Sequence, residues 1–302
     1  MTSEATRARA TAAVEAHRTT PTRRERQRAA TYDEIVTVAR TLLGGPEPLS
    51  LRAIAAEMGL TAPALYRYVD SYQELLMLVA RSIFEDVISA MTSARDRYPD
   101  DDPAAQTIAA SVAFRAWGLA HPEEFGLIFA NAAITRPAEA PDAAGTSVTV
   151  TTGGTVTERG ATACAAETPA PVDPSAEGGE GFGQFFADIF LRLWDRYTFD
   201  VPADEDLDPI LLALLKDQRA TGSLPCDFPG LPLGISWVFV RCWARLYGTV
   251  TLEVFKHMDL GVITSGALFR STLADSGRDL GFGDDMPRLQ ALTELEMARQ
   301  EG

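Results

Sequence analysis

The chain has 302 residues, of which 46% are apolar and 23% are charged. This mixture is typical of a folded protein with two domains or one large one, and it excludes a collagen-like or wholly disordered chain. The net charge of −15 is unevenly distributed, because residues 1–30 carry seven Arg and three Glu whereas residues 81–302 carry a net charge of −16. One end of the chain can therefore approach a polyanion that the remainder would repel.

Cysteine and histidine are too few and too scattered for a metal site or a disulfide framework. The three Cys share no CxxC spacing, and the three His lie far apart. We therefore predict no disulfide framework, no structural metal and no cofactor. The N-terminus lacks the apolar segment of a signal peptide, and the longest uncharged apolar stretch, 228–240, is well short of the ~20 residues that span a bilayer. We expect a cytoplasmic protein without membrane contact.

The first 22 residues contain almost no large apolar side chain, and we expect a disordered basic arm there. Apolar residues at helical spacing predict a helix over 23–43. Ser50 is placed to cap a second, short helix, which Gly59 ends in the left-handed conformation. Thr61 can cap a third helix, and the motif Ser71-Tyr72-Gln73-Glu74 is a capping box that opens a long fourth one.

The rest of the chain is also predicted to be helical, which makes the fold all-α. Residues 137–181 interrupt the pattern with a stretch that has no Leu, Ile, Met or aromatic residue. Such a stretch cannot bury enough apolar surface to offset its ordering entropy, so we expect a disordered insertion. The helices predicted after the fourth cover 103–120, 122–132, 182–199, 208–221, 231–258 and 263–275.

Residues 51–70 have the pattern of a helix-turn-helix, in which the second short helix enters the DNA major groove. The helix after Gly59-Leu60 starts with small residues, and its N-terminus favours a phosphate. Tyrosine hydroxyls and arginine can bond to DNA phosphates or base edges. The residues predicted to face outward are Arg52, Thr61, Ala62, Pro63, Tyr66, Arg67 and Tyr68.

The run LSLRAIAAEMGLTAPALYRYVDSYQELL resembles the DNA-binding segment of the TetR family of bacterial transcriptional regulators, over residues 24–88. Farther along, Trp117-Gly118-Leu119-Ala120-His121-Pro122-Glu123-Glu124-Phe125 and Trp243-Ala244-Arg245-Leu246-Tyr247-Gly248 resemble two elements of one subgroup. That subgroup has a C-terminal domain marked by a tryptophan-to-glycine (WHG-like) signature.

The resemblance implies a helix-turn-helix DNA-binding domain over 23–88 and a helical ligand-binding and dimerisation domain over 93–302. It implies a homodimer, with segments 231–258 and 263–275 as dimer elements, that binds a palindromic DNA operator. A small, mostly apolar inducer would release this repressor. The alternatives are a helical adaptor that uses the helix-turn-helix as a scaffold and, with less support, an enzyme. No catalytic arrangement of Ser, His, Cys or Asp is present, so we do not expect an enzyme.

The resemblance also implies residue roles. Thr61 would cap the recognition helix and touch a phosphate, Ala62 and Pro63 would meet base edges, Tyr66 and Tyr68 would hold phosphates, and Arg52 would lie at the groove margin. Gln73 stands where many relatives have Lys or Arg. We therefore expect DNA binding to depend more on the arm residues Arg18, Arg23, Arg24 and Arg26. The candidate pocket residues, which also fit a closed core, are Phe114, Trp117, Phe129, Phe186, Phe190, Trp194, Trp237 and Trp243.

Overall fold

The structure is a computed structural model that describes residues 22–46, 48–130, 180–221, 228 and 230–300. Within these ranges the chain forms twelve α-helices and no strand, which confirms the all-α fold. The predicted basic arm, except Thr22, and the predicted insertion at 137–181, except its last two residues, lie outside the described residues. No helix in the described ranges combines the length and the apolar character needed to span a bilayer.

The chain divides into two compact units, one up to Ser82 and one from Ile83 onward, so that the boundary falls inside the fourth helix. The domain limits predicted from the sequence, 23–88 and 93–302, remain predictions. The first unit contains three helices and the start of the fourth: α1 (Arg23–Leu43), α2 (Leu51–Glu57), α3 (Ala62–Leu65) and α4 (Tyr72–Arg95).

The first two helices of the first unit begin at side-chain caps. Thr22 and Glu25 form a reciprocal capping box at the start of α1, and the Ser50 hydroxyl accepts a hydrogen bond from the Ala53 amide at the start of α2. The helices pack around a small core of fully buried side chains. These side chains are Ile35, Ala39, Ile54, Leu65, Val69, Leu75 and Val79.

The second unit contains the rest of α4 and eight further helices. They are α5 (Pro103–Ala120), α6 (Pro122–Phe125), α7 (Glu180–Arg196), α8 (Pro209–Thr221), α9 (Leu233–Val254), α10 (Leu260–Ser265), α11 (Ala267–Asp279) and α12 (Met286–Gln300). A π-helical turn, Gly126–Ala130, continues α6. Helix α5 is buried along most of its length and packs against α7, α9 and α12, so it forms the centre of the unit.

An aromatic cluster fills the space beside α5. Phe114 is fully buried, and its ring lies 5.5–5.9 Å from the rings of Phe125, Phe129, Phe182 and Trp243. Edge-on and tilted pairs at such distances add about 0.5–1.5 kcal/mol each beyond the area they bury. Packing within this cluster therefore holds α5, α6, α7 and α9 together.

Several predicted helix boundaries differ from the observed ones for identifiable reasons. The predicted helix 231–258 ends at Val254, and Lys256 then adopts a positive φ of 56°. The predicted helix 263–275 is two helices, because Gly266, at φ 62°, ends α10 and begins α11. Helix α12 was not predicted at all.

Candidate functional site

A tight turn at Gly59 joins α2 to α3. The Gly59 amide donates to the Ala56 carbonyl at 3.1 Å, and the Leu60 amide donates to the Ala55 carbonyl at 2.8 Å. Together with the positive φ of 65° at Gly59, these bonds form a Schellman motif, as the glycine position predicted. The motif satisfies the last carbonyls of α2 and fixes the direction in which α3 begins.

Helix α3 presents one polar face to solvent and buries the other. Leu65 and Val69, one turn apart, are fully buried. On the opposite side Thr61, Pro63 and Arg67 are exposed, and Tyr66 is 50% exposed. Ala62 is half-buried, and Arg52, on α2, is also exposed. The predicted outward-facing residues thus lie around one short helix.

Thr61 occupies the cap position of α3, but its side chain makes no cap hydrogen bond. The reason is local, because Pro63 has no amide hydrogen and the Ala64 amide already donates to the Thr61 carbonyl at 2.9 Å. The prediction that the Thr61 side chain caps the helix was wrong. The Ala64 and Leu65 amides both donate to the Thr61 carbonyl, so neither of them is free to bind a phosphate.

Tyr68 is half-buried and has a packing role. Its ring lies edge-on to Tyr32 of α1, with 5.7 Å between the ring centroids. Arg28 donates to the Tyr32 hydroxyl at 3.1 Å and lies over the same ring. This row of side chains connects α1 to the segment that follows α3.

The start of α4 lies close to the helix-turn-helix in sequence. The Glu74 amide donates to the Ser71 hydroxyl, while the Glu74 carboxylate accepts from the Asp70 amide, one residue earlier than in the predicted capping box. Gln73 is exposed, and its side-chain amide lies 3.5 Å from the Met77 sulfur. Tyr72 is 45% exposed beside it, and it is a candidate contact that the sequence reasoning missed. Its place directly after the Ser71 cap was the available signal.

The basic residues of α1 remain available to solvent. Arg23, Arg24 and Arg26 are all exposed in its first turns. Arg18 lies outside the described residues. The structure therefore keeps three of the four arm arginines on an exposed helix end.

Three of the eight predicted pocket residues line an apolar cavity in the part of the chain that the structure describes. Phe186, Phe190 and Trp243 form part of the wall of an apolar cavity of about 70 Å³ between α5, α7, α9 and α11. This volume is below the roughly 300–1,000 Å³ of typical small-molecule sites. A bulky ligand would have to displace side chains in order to enter.

The other five aromatic residues pack elsewhere in the second unit. Phe114 and Phe129 belong to the aromatic cluster, and Trp117 stacks on His121 with 5.1 Å between the ring centroids. Trp194 packs edge-on against Phe199, and Trp237 packs against a cluster of Leu207, Leu215 and Leu233.

Comparison with known proteins identifies the family of the chain. A family profile described as "Tetracyclin repressor-like, C-terminal domain" matches residues 107–276, which is more than half of the chain. HTH-type transcriptional regulators Rv1816 of Mycobacterium tuberculosis and Mb1846 of Mycobacterium bovis are each 36% identical over 85 residues. This segment spans 28% of the present chain and only 36% of each relative.

A solved structure shows the same fold. The crystal structure of SCO4313, described as a regulatory protein, aligns with 85% of this chain and 98% of its own, with a TM-score of 0.54 and 22% sequence identity. The all-helical fold, the N-terminal helix-turn-helix and the match to the C-terminal domain profile agree. The chain belongs to the TetR-like family of transcriptional regulators.

Proposed function

We propose that this protein is a dimeric repressor that binds a palindromic operator and is released by a small-molecule effector. The observation that carries the proposal is the exposed face of α3. Thr61, Tyr66 and Arg67 reach solvent around α3, and Arg52 is exposed on the preceding helix α2, while Leu65 and Val69 anchor the opposite side. Two such helices about 34–36 Å apart would fit successive major grooves on one face of DNA.

Repression and release follow from a two-state equilibrium. A free dimer would hold its recognition helices at the operator spacing, and an effector that binds a different arrangement more tightly would lower DNA affinity. The effector can shift this equilibrium only by its differential affinity for the two states, which is typically worth about 1–3 kcal/mol.

Tyr66→Phe and Arg52→Ala test the DNA contact. Both side chains are exposed, so both variants should fold. Tyr66→Phe should weaken operator binding by about 0.5–1.5 kcal/mol, because one hydroxyl hydrogen bond is lost. Arg52→Ala should also reduce the slope of log K against log salt by about 0.9, because one phosphate contact is lost. Footprinting of the chain's own promoter region, followed by gel-shift titration at several salt concentrations, measures both effects.

Lys216→Ala on α8 is the matched control, because it removes one exposed positive charge from the second unit. It should change neither affinity nor salt slope. Unchanged binding by both test variants would contradict the proposed docking of α3. A chain that protects no duplex at all would instead act as a helical adaptor.

A further inference from the structure

A second cavity adjoins the small apolar one in the second unit. This outer cavity, of about 310 Å³, lies where the loop at Thr198–Asp200 meets α9 and the end of α11. Cys242 lies in the walls of both cavities. We call the apolar one the inner cavity. Taken together, their volumes enter the range of roughly 300–1,000 Å³ that holds small molecules.

The inner cavity has no charged residue in its wall. Its surface consists of aromatic rings and aliphatic side chains, with the hydroxyls of Ser111, Thr272 and Ser276 among them. Burial raises the pKa of the Cys242 thiol to about 11, so this side chain is neutral at physiological pH. An ionised group would lose its hydration here without gaining a partner, and the inner cavity therefore suits an apolar, uncharged part of a ligand.

The wall of the outer cavity contains Arg241, Arg278, Asp200 and Asp279, and Arg241 is the arginine held by an ion pair without a hydrogen bond. Arg245 bonds Asp279 at 2.5 Å, whereas Arg241 lies 3.6 Å from the same carboxylate, which is too long for a hydrogen bond. Arg278, also in the wall, is paired with Asp275 at 2.6 Å. Two guanidinium groups thus share the single carboxylate of Asp279.

Arg241 is the group best placed to bind an incoming anion. It lies one residue before Cys242, its side chain is 46% exposed, and it lines the outer cavity. Asp200 is the opposing carboxylate in this wall and lies on the loop. A guanidinium that keeps donors free can bind a carboxylate with two parallel hydrogen bonds.

We infer that the effector is an amphiphilic monocarboxylate whose apolar tail occupies the inner cavity and whose carboxylate binds Arg241 in the outer one. This inference rests on the proposed function, since it names the ligand class of the regulator's own cavity. Each tail methylene that becomes buried strengthens binding by about fourfold. The gain ends when the tail fills the space that displacement of Phe186 and Trp243 can open.

Calorimetry on the full-length chain can test the inference with defined probes. Straight-chain carboxylates of six, eight and ten carbons are compared with the alcohol and the amine of ten carbons, all below their micelle concentrations. We expect affinity to rise with carboxylate length, and the ten-carbon carboxylate to bind at least tenfold more tightly than the amine. Equal binding of the amine, or no dependence on tail length, would overturn the inference.

Amino-acid substitutions test where the carboxylate and the apolar tail of the probe bind. Arg241→Gln should remove the tenfold preference for the carboxylate, while Arg192→Gln, an equivalent change on α7 at a different groove, should keep it. Ser276→Leu fills the inner cavity and should weaken all three ten-carbon probes at least tenfold, with folding checked by circular dichroism. Arg241→Gln that binds like the parent, or Ser276→Leu that leaves tail binding unchanged, would overturn the assignment.

Footprinting without any probe separates this inference from the proposed function. If the protein protects an operator but binds no carboxylate, the ligand class is wrong and the regulator stands. If carboxylates bind as expected but no duplex is protected, the proposed function is wrong and the assignment of the cavity stands.

Discussion

The guanidinium of Arg115 connects three helices of the second unit through a buried ion pair and a bond to a backbone carbonyl. Glu253 of α9 is almost fully buried, and its Oε2 accepts from Arg115 of α5 at 2.5 Å. Arg115 also donates to the Ile263 carbonyl of α10 and lies over the Phe269 ring. Glu253 Oε1 has no hydrogen-bond partner among the described residues. Burial raises the pKa of Glu253 above its ordinary 4.5, and Arg115 offsets this only in part.

This raised pKa predicts a pH dependence of stability with a definite sign. The folded chain binds this proton more tightly than the unfolded chain, so the contribution of Glu253 is fully present below pH 4.5 and is lost as pH rises through the raised pKa. Glu253→Gln cannot titrate. The free energy of unfolding of the parent minus that of Glu253→Gln should therefore fall between pH 4.5 and pH 8, as measured by urea denaturation.

Asp96→Asn is the control, because its carboxylate is 56% exposed and its partner Arg95 is partly exposed. That substitution should show no comparable trend with pH. A parent-to-variant difference for Glu253 that stayed constant or grew with pH would show that Arg115 outweighs burial.

At the scale of the element, α12 is held by polar contacts of unequal value. Glu296 is fully buried and accepts from Arg97, from the Tyr98 hydroxyl at 2.6 Å and from Arg299 at 2.6 Å. The other attachment joins Arg288 at the start of α12 to Asp102 at 2.6 Å, and both partners are partly exposed. Exposed pairs contribute about 0–1 kcal/mol, whereas breaking a buried one costs about 3–5 kcal/mol.

We therefore expect Glu296→Ala and Arg288→Ala to differ in their effect on stability. Glu296→Ala should lower the free energy of unfolding by about 2–3 kcal/mol. This is less than the full cost of breaking a buried pair, because the partner Arg97 is about one-third exposed and solvent screens the pair. Arg288→Ala should cost less than about 1 kcal/mol. Chemical denaturation of both variants in one buffer measures the contrast, and equal losses would refute the ranking.

The same helix shows where sequence patterns stop being informative. Its buried residues are Leu289, Thr293, Glu296 and Met297, so half of the inward face is polar and the apolar period disappears. By contrast, α1 was predicted over its observed range because the helical spacing of its apolar residues is local in the sequence. The exposed side of the helix-turn-helix was predictable for the same reason. The inner cavity was not, because its wall combines residues of four helices that only tertiary packing brings together.

At the scale of the whole molecule, charge is divided unevenly between the first 80 residues and the rest of the sequence. The strongly acidic stretch 81–302 repels a duplex, so attraction is concentrated at the first unit. The outer faces of α11 and α12 expose small or apolar side chains, among them Ser271, Ala291 and Leu295, around a groove of about 420 Å³. The expected dimer elements were the segments 231–258 and 263–275, and we propose that α12 takes part in the dimer contact beside α11.

Leu295→Asp tests this contact. Leu295 is 49% exposed, so a carboxylate there is tolerated in a single chain but would be desolvated against a second copy. We expect sedimentation to show a monomer for Leu295→Asp and a dimer for the parent. Ile210→Asp on α8 is the control, because Ile210 is 73% exposed and lies on another face. A dimer that survives Leu295→Asp, or dissociates with Ile210→Asp, would contradict the assignment.

The stacking of Trp243 on Tyr247, with 5.6 Å between the ring centroids, has an optical consequence. The chain has four tryptophans, and among the described cavity walls Trp243 is the one indole in contact with the inner cavity. A molecule that entered would change the polarity around that indole and its separation from the neighbouring phenol. The protein therefore carries its own fluorescent reporter of occupancy, and no dye has to be attached to follow binding in real time.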